Sequence, residues 1–306
     1  MRKALALLLL VALLGVTAAC GSDDDEAAPA TTAPATEATD TEAEATTEEE
    51  PDPCAKEELV TVVDGSLTIA TDNPAFPPWF QDEEGAPWDP TTPATGLGYE
   101  AAVAYAVAEQ LSFTQDEVRW VVVPFNNVFR PGPKDFDFDI NQVSYLPARD
   151  EAVDFSDSYY DVEQAVVTLK GSEFASAASL ADLQDAKLGA QVGTTSYNAI
   201  VELIQPAQDP AVFDTNNDAI AALKNTQIDG IVVDFPSTGY ITAVQVPNAT
   251  VAGRLPAGEE YFGLVFEEGN PLRDCVNEAI AALQSDGSIA QFQEEWINTA
   301  APPVLE

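Results

Sequence analysis

Past residue 53 the apolar positions of this chain switch repeatedly between two spacings. Short runs rich in β-branched and other apolar residues at 67–70, 118–123, 136–143, 165–169, 187–192, 228–233 and 262–266 read as strands. Between them, 99–111 places Ala102, Val103, Ala106 and Val107 on one face of an amphipathic helix. Further helices are expected at 180–183, 218–224, 271–284 and 288–298, the last two parted by Asp286-Gly287. Such alternation predicts an α/β fold whose helices cover mostly parallel sheets. The length allows one large domain or two small ones, and no internal repeat is visible.

The first 53 residues break the pattern. Residues 4–16 form one apolar run, too short to span a bilayer. It follows the cationic start Met1-Arg2-Lys3 and precedes Thr17-Ala18-Ala19-Cys20. This is the layout of a lipoprotein signal peptide over 1–20, with Cys20 as the lipidated residue. An ordinary secretory signal is the alternative, since Thr17 stands where Leu is more usual. Residues 21–53 hold twelve acidic side chains, no basic one and nothing apolar larger than Ala, Pro aside. Such a stretch buries too little apolar surface to offset its ordering entropy, so a disordered, self-repelling tether is expected. With no other long apolar run, the chain reads as anchored to a membrane rather than crossing it.

Composition then narrows the function. There is no histidine, which excludes Ser-His-Asp and Cys-His catalysis and disfavours a zinc site. An enzyme made from this chain would have to work with carboxylates, Lys or Tyr. A net charge of −40 excludes nucleic acid as a natural partner and slightly favours cationic solutes. Of the three cysteines, Cys54 and Cys275 remain once Cys20 carries lipid. An even number in an oxidising compartment suits a disulfide between them, two free thiols being the alternative.

Several segments carry a resemblance. They begin with Thr71-Asp72-Asn73-Pro74-Ala75-Phe76-Pro77-Pro78-Trp79-Phe80 and Gly85, then Gly96 and Gly98-Tyr99-Glu100. Val123-Pro124-Phe125, Asp139-Ile140, Pro147-Ala148-Arg149 and Val153-Asp154-Phe155-Ser156-Asp157-Ser158-Tyr159-Tyr160 follow. Val192-Gly193-Thr194-Thr195, Ile231-Val232-Val233-Asp234 and a closing run over 270–296 complete the series. In this order they resemble the polar amino-acid-binding family of extracytoplasmic solute-binding proteins of ABC importers, over about residues 60–298.

The resemblance implies a periplasmic-binding-protein-like α/β fold of two lobes joined by hinge strands, with a ligand cleft between them. Lobe 1 would span 54–166 and lobe 2 would span 167–261, with 262–306 returning to lobe 1 and ending in a C-terminal tail. A Cys54–Cys275 disulfide would then lie inside lobe 1. The implied function is capture of an amino acid by hinge closure and delivery to a membrane permease. No enzyme activity, cofactor or metal is implied. The implied protein is a monomer at the outer face of the cytoplasmic membrane.

An α-amino acid carries a carboxylate and an ammonium on one carbon, so its pocket must meet both charges away from water. The resemblance gives the carboxylate to Arg149, whose planar fork can grip both oxygens; a surface pairing with Asp150 or Glu151 is the alternative. Thr194 and Thr195, ahead of a helix starting near Ser196, would add hydroxyl and backbone donors, or simply cap that helix. Asp234, at the carboxyl end of a strand, would pair with the ammonium, helped by Ser144 and backbone carbonyls near Gln142. Phe76, Phe125 and Trp79 would flank the ligand's side chain, with Asp72 in reach of a cationic tip.

Departures from the family pattern leave the side chain open: Leu146 replaces Thr, Asn141-Gln142 replace small residues, Ser158 replaces Pro, and 88–93 looks inserted. Arg149 on lobe 1 and Thr195 with Asp234 on lobe 2 are expected to be bridged only by ligand, so that binding favours closure. Three rivals stay open. One is an enzyme on the same fold, such as a dehydratase of a cyclic amino-acid precursor, with Glu100 or Glu163 as its acid. Another is a sensor domain, which would need a spanning or signalling segment. The third is a binding protein for another small solute such as an opine.

Overall fold

Leu67–Thr71 (β1), buried at all five positions, is flanked by two parallel neighbours, Val118–Val122 (β2) and Phe138–Asp139 (β3). The computed structural model describes residues 51–91, 96–297 and 301–306. The expected signal peptide with Cys20, almost all of the expected tether, and Thr92 and Pro93 of the apparent insertion lie outside them. Val265–Phe266 (β12) joins β3, and Asp154–Phe155 (β4) joins β12, both antiparallel, giving the order β2-β1-β3-β12-β4. Tyr99–Gln110 (α1), Leu272–Ser285 (α7) and Ser288–Trp296 (α8) contribute with Leu67, Ile69, Phe138 and Ile140 to one apolar core. This is lobe 1, and a Cys54–Cys275 disulfide ties its first residues to α7.

Lobe 2 is a second five-stranded sheet. Its order is Ala249–Arg254 (β10), Gln164–Leu169 (β6), Gly230–Asp234 (β9), Leu188–Gln191 (β7) and Ala211–Phe213 (β8). β7 runs parallel to β8 and β9, whereas β6 and β10 are antiparallel to their neighbours. Both sheets are therefore mixed, not mostly parallel. The strands that carry the chain between lobes enter each sheet reversed. An antiparallel ribbon of Tyr160–Asp161 (β5) and Tyr261–Phe262 (β11) joins the lobes.

Several expectations shift accordingly. The expected boundary at 166/167 would cut β6, which starts at Gln164; the outward crossing lies at 162–163. The expected strand at 262–266 is two strands, split at Gly263 and serving different sheets. The expected strand at 136–143 keeps only β3, because the chain turns into a left-handed conformation at Gln142 (φ 49°). α1 buries Val103, Ala104, Val107 and Ala108, with Ala102 and Ala106 at the edge of that stripe. It is apolar over most of its circumference, so periodicity alone could not set its buried face. It starts at Gly98 (φ 101°), where a Cβ would sit 2.4 Å from the Trp79 carbonyl. Trp88, in the apparent insertion, stacks on Phe80 at 5.3 Å and meets Trp120 edge-on at 5.0 Å, so this residue belongs to the core.

The last residues dock on lobe 2, although α8, the element before them, belongs to lobe 1. Arg254 donates its backbone N–H to the Pro303 carbonyl (3.0 Å), and Leu305 donates to the Arg254 carbonyl (2.8 Å). Residues 303–305 thus cover the free edge of β10, which would otherwise expose unpaired backbone groups. Leu305 is 1% exposed and needs Gly253 beneath it, where a Cβ would lie 2.6 Å from its Cγ. Leu305→Ala is expected to lower unfolding free energy by about 2 kcal/mol in urea titration. That is the low end for a buried Leu, because residues 303–305 pair along one edge of β10 only and can resettle.

Candidate ligand-binding site

Parallel strands turn outward at their carboxyl ends, so those ends gather wherever two such sheets face each other. Here β1, β2 and β3 of lobe 1 and β7, β8 and β9 of lobe 2 all lead into one cavity of about 360 Å³. Lobe 1 supplies Asp72, Phe76, Phe125, Gln142, Ser144 and Arg149. Lobe 2 supplies Thr194, Thr195 and Asp234.

Arg149 lies on the one-turn helix Pro147–Asp150 (α3), whose proline occupies a first-turn position where no N–H is needed. Its guanidinium is 4.2 Å from the Phe129 ring centre and 5.7 Å from that of Phe125. Nη1 donates to the Ser144 carbonyl (2.5 Å) and Nη2 to the Gly193 carbonyl (2.7 Å). Among the described residues no carboxylate forms an ion pair with it, so the surface pairing with Asp150 or Glu151 is not realised. Burial pulls its pKa down to about 10, opposed by Glu260 and Asp234, and leaves it charged at neutral pH. The result is a desolvated cation, stacked on aromatic rings and held by neutral carbonyls.

The two threonines divide their work. Thr194 caps Thr195–Ala199 (α4): its hydroxyl accepts from the Tyr197 N–H (3.3 Å) and donates to the Gln191 carbonyl (2.8 Å). Thr195 places its hydroxyl 3.3 Å from that of Ser144, across the cleft. Asp234, the last residue of β9, accepts from Gln164 Nε2 (2.7 Å). Burial, and then the nearby Glu260, push its pKa up to about 7.

Asp72 accepts backbone N–H groups of Asn73 (2.7 Å) and Phe125 (3.3 Å), capping the short helix Phe125–Val128 (α2). Gln142 is held in its left-handed conformation by Glu100, which accepts its backbone N–H (2.7 Å) and its side-chain amide. Glu100 is fully buried beneath the cavity and also bonds the Tyr159 hydroxyl; burial raises its pKa to about 7.

Trp79 is not part of the cavity wall. It is 1% exposed among Tyr99, Tyr160 and Phe262, and its indole N–H donates to Ser237 on Ser237–Tyr240 (α6) at 2.9 Å. With Phe76 lying 5.9 Å from Tyr240 and Arg149 reaching Gly193, the lobes touch directly at several points. The expectation that only a ligand spans them is thus corrected: side chains at the rim are long enough to meet unaided.

Two contributors escaped sequence reasoning. The turn over 214–217 lines the cavity after β8, a three-residue strand behind Pro210 too short to register as a period. Its signal was there in Thr215 capping Asn216–Lys224 (α5) through the Asp218 N–H (3.1 Å). Glu260, beside the hinge, accepts the Ser144 hydroxyl at 2.6 Å, and no spacing marks it.

Comparison with known proteins fits this geometry. The model of the bacterial extracellular solute-binding proteins, family 3, matches residues 67–299. The chain is 24% identical over 204 residues to the arginine-binding extracellular protein ArtP of Bacillus subtilis, covering 65% of this chain and 77% of that one. It is 26% identical to the ABC transporter arginine-binding protein 1 of Escherichia coli, covering 65% and 81%. An ancestral arginine-binding protein solved with glutamine superposes with a TM-score of 0.64 at 27% identity, covering 78% of this chain and 100% of that one. An ancestral amino-acid-binding protein described as a precursor of cyclohexadienyl dehydratase gives 0.60 at 25%, covering 76% and 96%. Family match and two-lobed architecture agree over most of the described chain, which therefore belongs to the bacterial extracellular solute-binding proteins of family 3.

Proposed function

We propose that this chain is the solute-capturing component of an ABC importer, binding a polar amino acid by its zwitterion and delivering it to a membrane permease. One observation carries the reading. A desolvated arginine without a carboxylate partner and a carboxylate at a strand end lie on opposite walls of one cavity, matching the two charges of an α-amino acid. Arg149 takes the carboxylate with the backbone N–H of Thr195, and Asp234 and Ser144 take the ammonium. The ligand adds its own bridges to the direct contacts between lobes, so it favours the closed arrangement. The chain works as a monomer held to the outer face of the cytoplasmic membrane by lipid on Cys20, with residues 21–53 as the tether.

Among amino acids, the cavity favours a cationic side chain. Among the described residues Asp72, Asp214 and Asp234 line it against Arg149 alone, so one carboxylate balances the ammonium and two remain. The two curated relatives quoted above are named for arginine. The dehydratase reading loses its candidate acids: Glu100 is buried against Gln142 and Tyr159, and Glu163 is paired with Arg254. Neither lines the cavity. Calorimetric titration with the twenty amino acids tests the proposal. Arginine and lysine should bind at least tenfold tighter than glutamine, and glutamate should bind weakest. No heat from any of them, with folded protein, would sink it.

A further inference from the structure

Glu260 does not line the cavity, yet it controls a group that does. Its Oε1 lies 2.6 Å from the Ser144 hydroxyl and 3.4 Å from Gln164 Nε2. A carboxylate only accepts, so the single hydroxyl proton of Ser144 points at Glu260. Gln164 is fixed by the same logic. Its Oε1 takes the Ser196 hydroxyl proton (2.7 Å), which turns its Nε2 to Asp234 (2.7 Å) and toward Glu260. The donors on the protein side are thereby spent inside the protein. What Ser144 and Asp234 present to the cavity are lone pairs, and Thr195, 3.3 Å from Ser144, must be the donor of that pair. The crowding of two carboxylates around one amide also shows in Asp234, whose ionisation is opposed first by burial and next by Glu260.

We propose that Glu260 is a positioning residue that makes Ser144 an obligate hydrogen-bond acceptor in the cleft, so that the site selects acids bearing an N–H donor group on the α-carbon over their α-hydroxy counterparts. The inference rests on the amino-acid reading above. An ammonium has three protons for the two facing acceptors; an α-hydroxyl has one and leaves an acceptor buried without a donor. With the Glu260 acceptor removed, Ser144 can rotate its proton into the cavity and satisfy a hydroxyl.

The test titrates the full chain with L-arginine and L-glutamine, each against its 2-hydroxy acid, and reads the ratio of the Kd for the hydroxy acid to the Kd for the amino acid. Glu260→Met, which removes the acceptor while keeping the bulk, should lower the ratio at least tenfold. Glu260→Gln keeps an acceptor oxygen and should stay within about threefold of the wild type, which separates hydrogen-bond polarity from charge. In a Ser144→Ala background, Glu260→Met should change the ratio less than twofold. Should Glu260→Met not fold, Ser144→Ala alone must lower the ratio tenfold, and retention of the wild-type ratio overturns the proposal. So does a wild-type ratio in folded Glu260→Met, or a loss in Glu260→Gln as large as in Glu260→Met. Wild-type protein that binds neither amino acid overturns the underlying reading instead, which keeps the two failures apart.

Discussion

Arg149→Ala should weaken amino-acid binding by roughly 10³-fold, about 4 kcal/mol, while the protein stays folded. The size follows from where the guanidinium sits. It is 8% exposed, stacked on Phe129, and already desolvated before a ligand arrives, so the carboxylate it meets gains a partner at little further cost. Truncation leaves the ligand's carboxylate buried with backbone donors but no opposite charge. Arg149→Lys should recover no more than about a tenth to a hundredth of the wild-type affinity. A point charge cannot keep the Ser144 and Gly193 carbonyls and two carboxylate oxygens in one plane. The fold loses two hydrogen bonds to carbonyls that water can replace, so thermal unfolding should shift little. Titration calorimetry on Arg149→Ala and Arg149→Lys reads both effects. Full affinity in Arg149→Ala would remove this residue from the site and leave the family assignment standing.

Much of this site was legible before any coordinates because it rests on strand ends. The apolar strand that closes on Asp234 and the turn Gly193-Thr194-Thr195 after β7 are local signals, and so is Pro147 opening the turn that carries Arg149. Aromatic residues were harder to read. Phe76, Phe125 and Trp79 look alike in sequence, yet only the first two reach the cavity. Trp79 is drawn into the hinge by three aromatic neighbours and the Ser237 hydroxyl, all of them distant in the chain. Short elements were illegible for a related reason. β3, β4, β5, β11 and β12 hold two residues each, too few to show any period, and they exist because neighbouring strands pair with them. Glu260 and the docking of Leu305 on β10 depend wholly on tertiary placement. Their sequence context is an acidic loop and a chain end, with nothing to set them apart.

Affinity should fall about fivefold between pH 7 and pH 6, and about 50-fold between pH 7 and pH 5. Only ionised Asp234 answers the ammonium, and in the unliganded protein its pKa stands at about 7. At pH 7 about half the sites are ionised and two units lower roughly one in a hundred is, so the apparent Kd rises about 50-fold. The fall flattens once pH drops below the pKa of the bound state, which the ammonium pulls down. Stability of the unliganded protein responds with the opposite sign. A carboxyl whose folded pKa exceeds its ordinary value of 3.8 opposes folding when ionised, so its penalty is absent below about pH 4 and grows through pH 7. Glu100, also raised to about 7, adds to this stability trend in the same direction but does not face the ligand. Acidification from pH 7 to pH 5 should therefore strengthen the empty fold while weakening the complex. Asp234→Asn separates the two contributions. It should bind more weakly than wild type at pH 8 yet hold that affinity nearly constant to pH 5, and its stability should retain only the Glu100 share of the slope. Calorimetric titrations and urea unfolding at pH 5, 6, 7 and 8 measure both curves. A wild-type Kd that is level across that range would show that the ammonium is not met by Asp234.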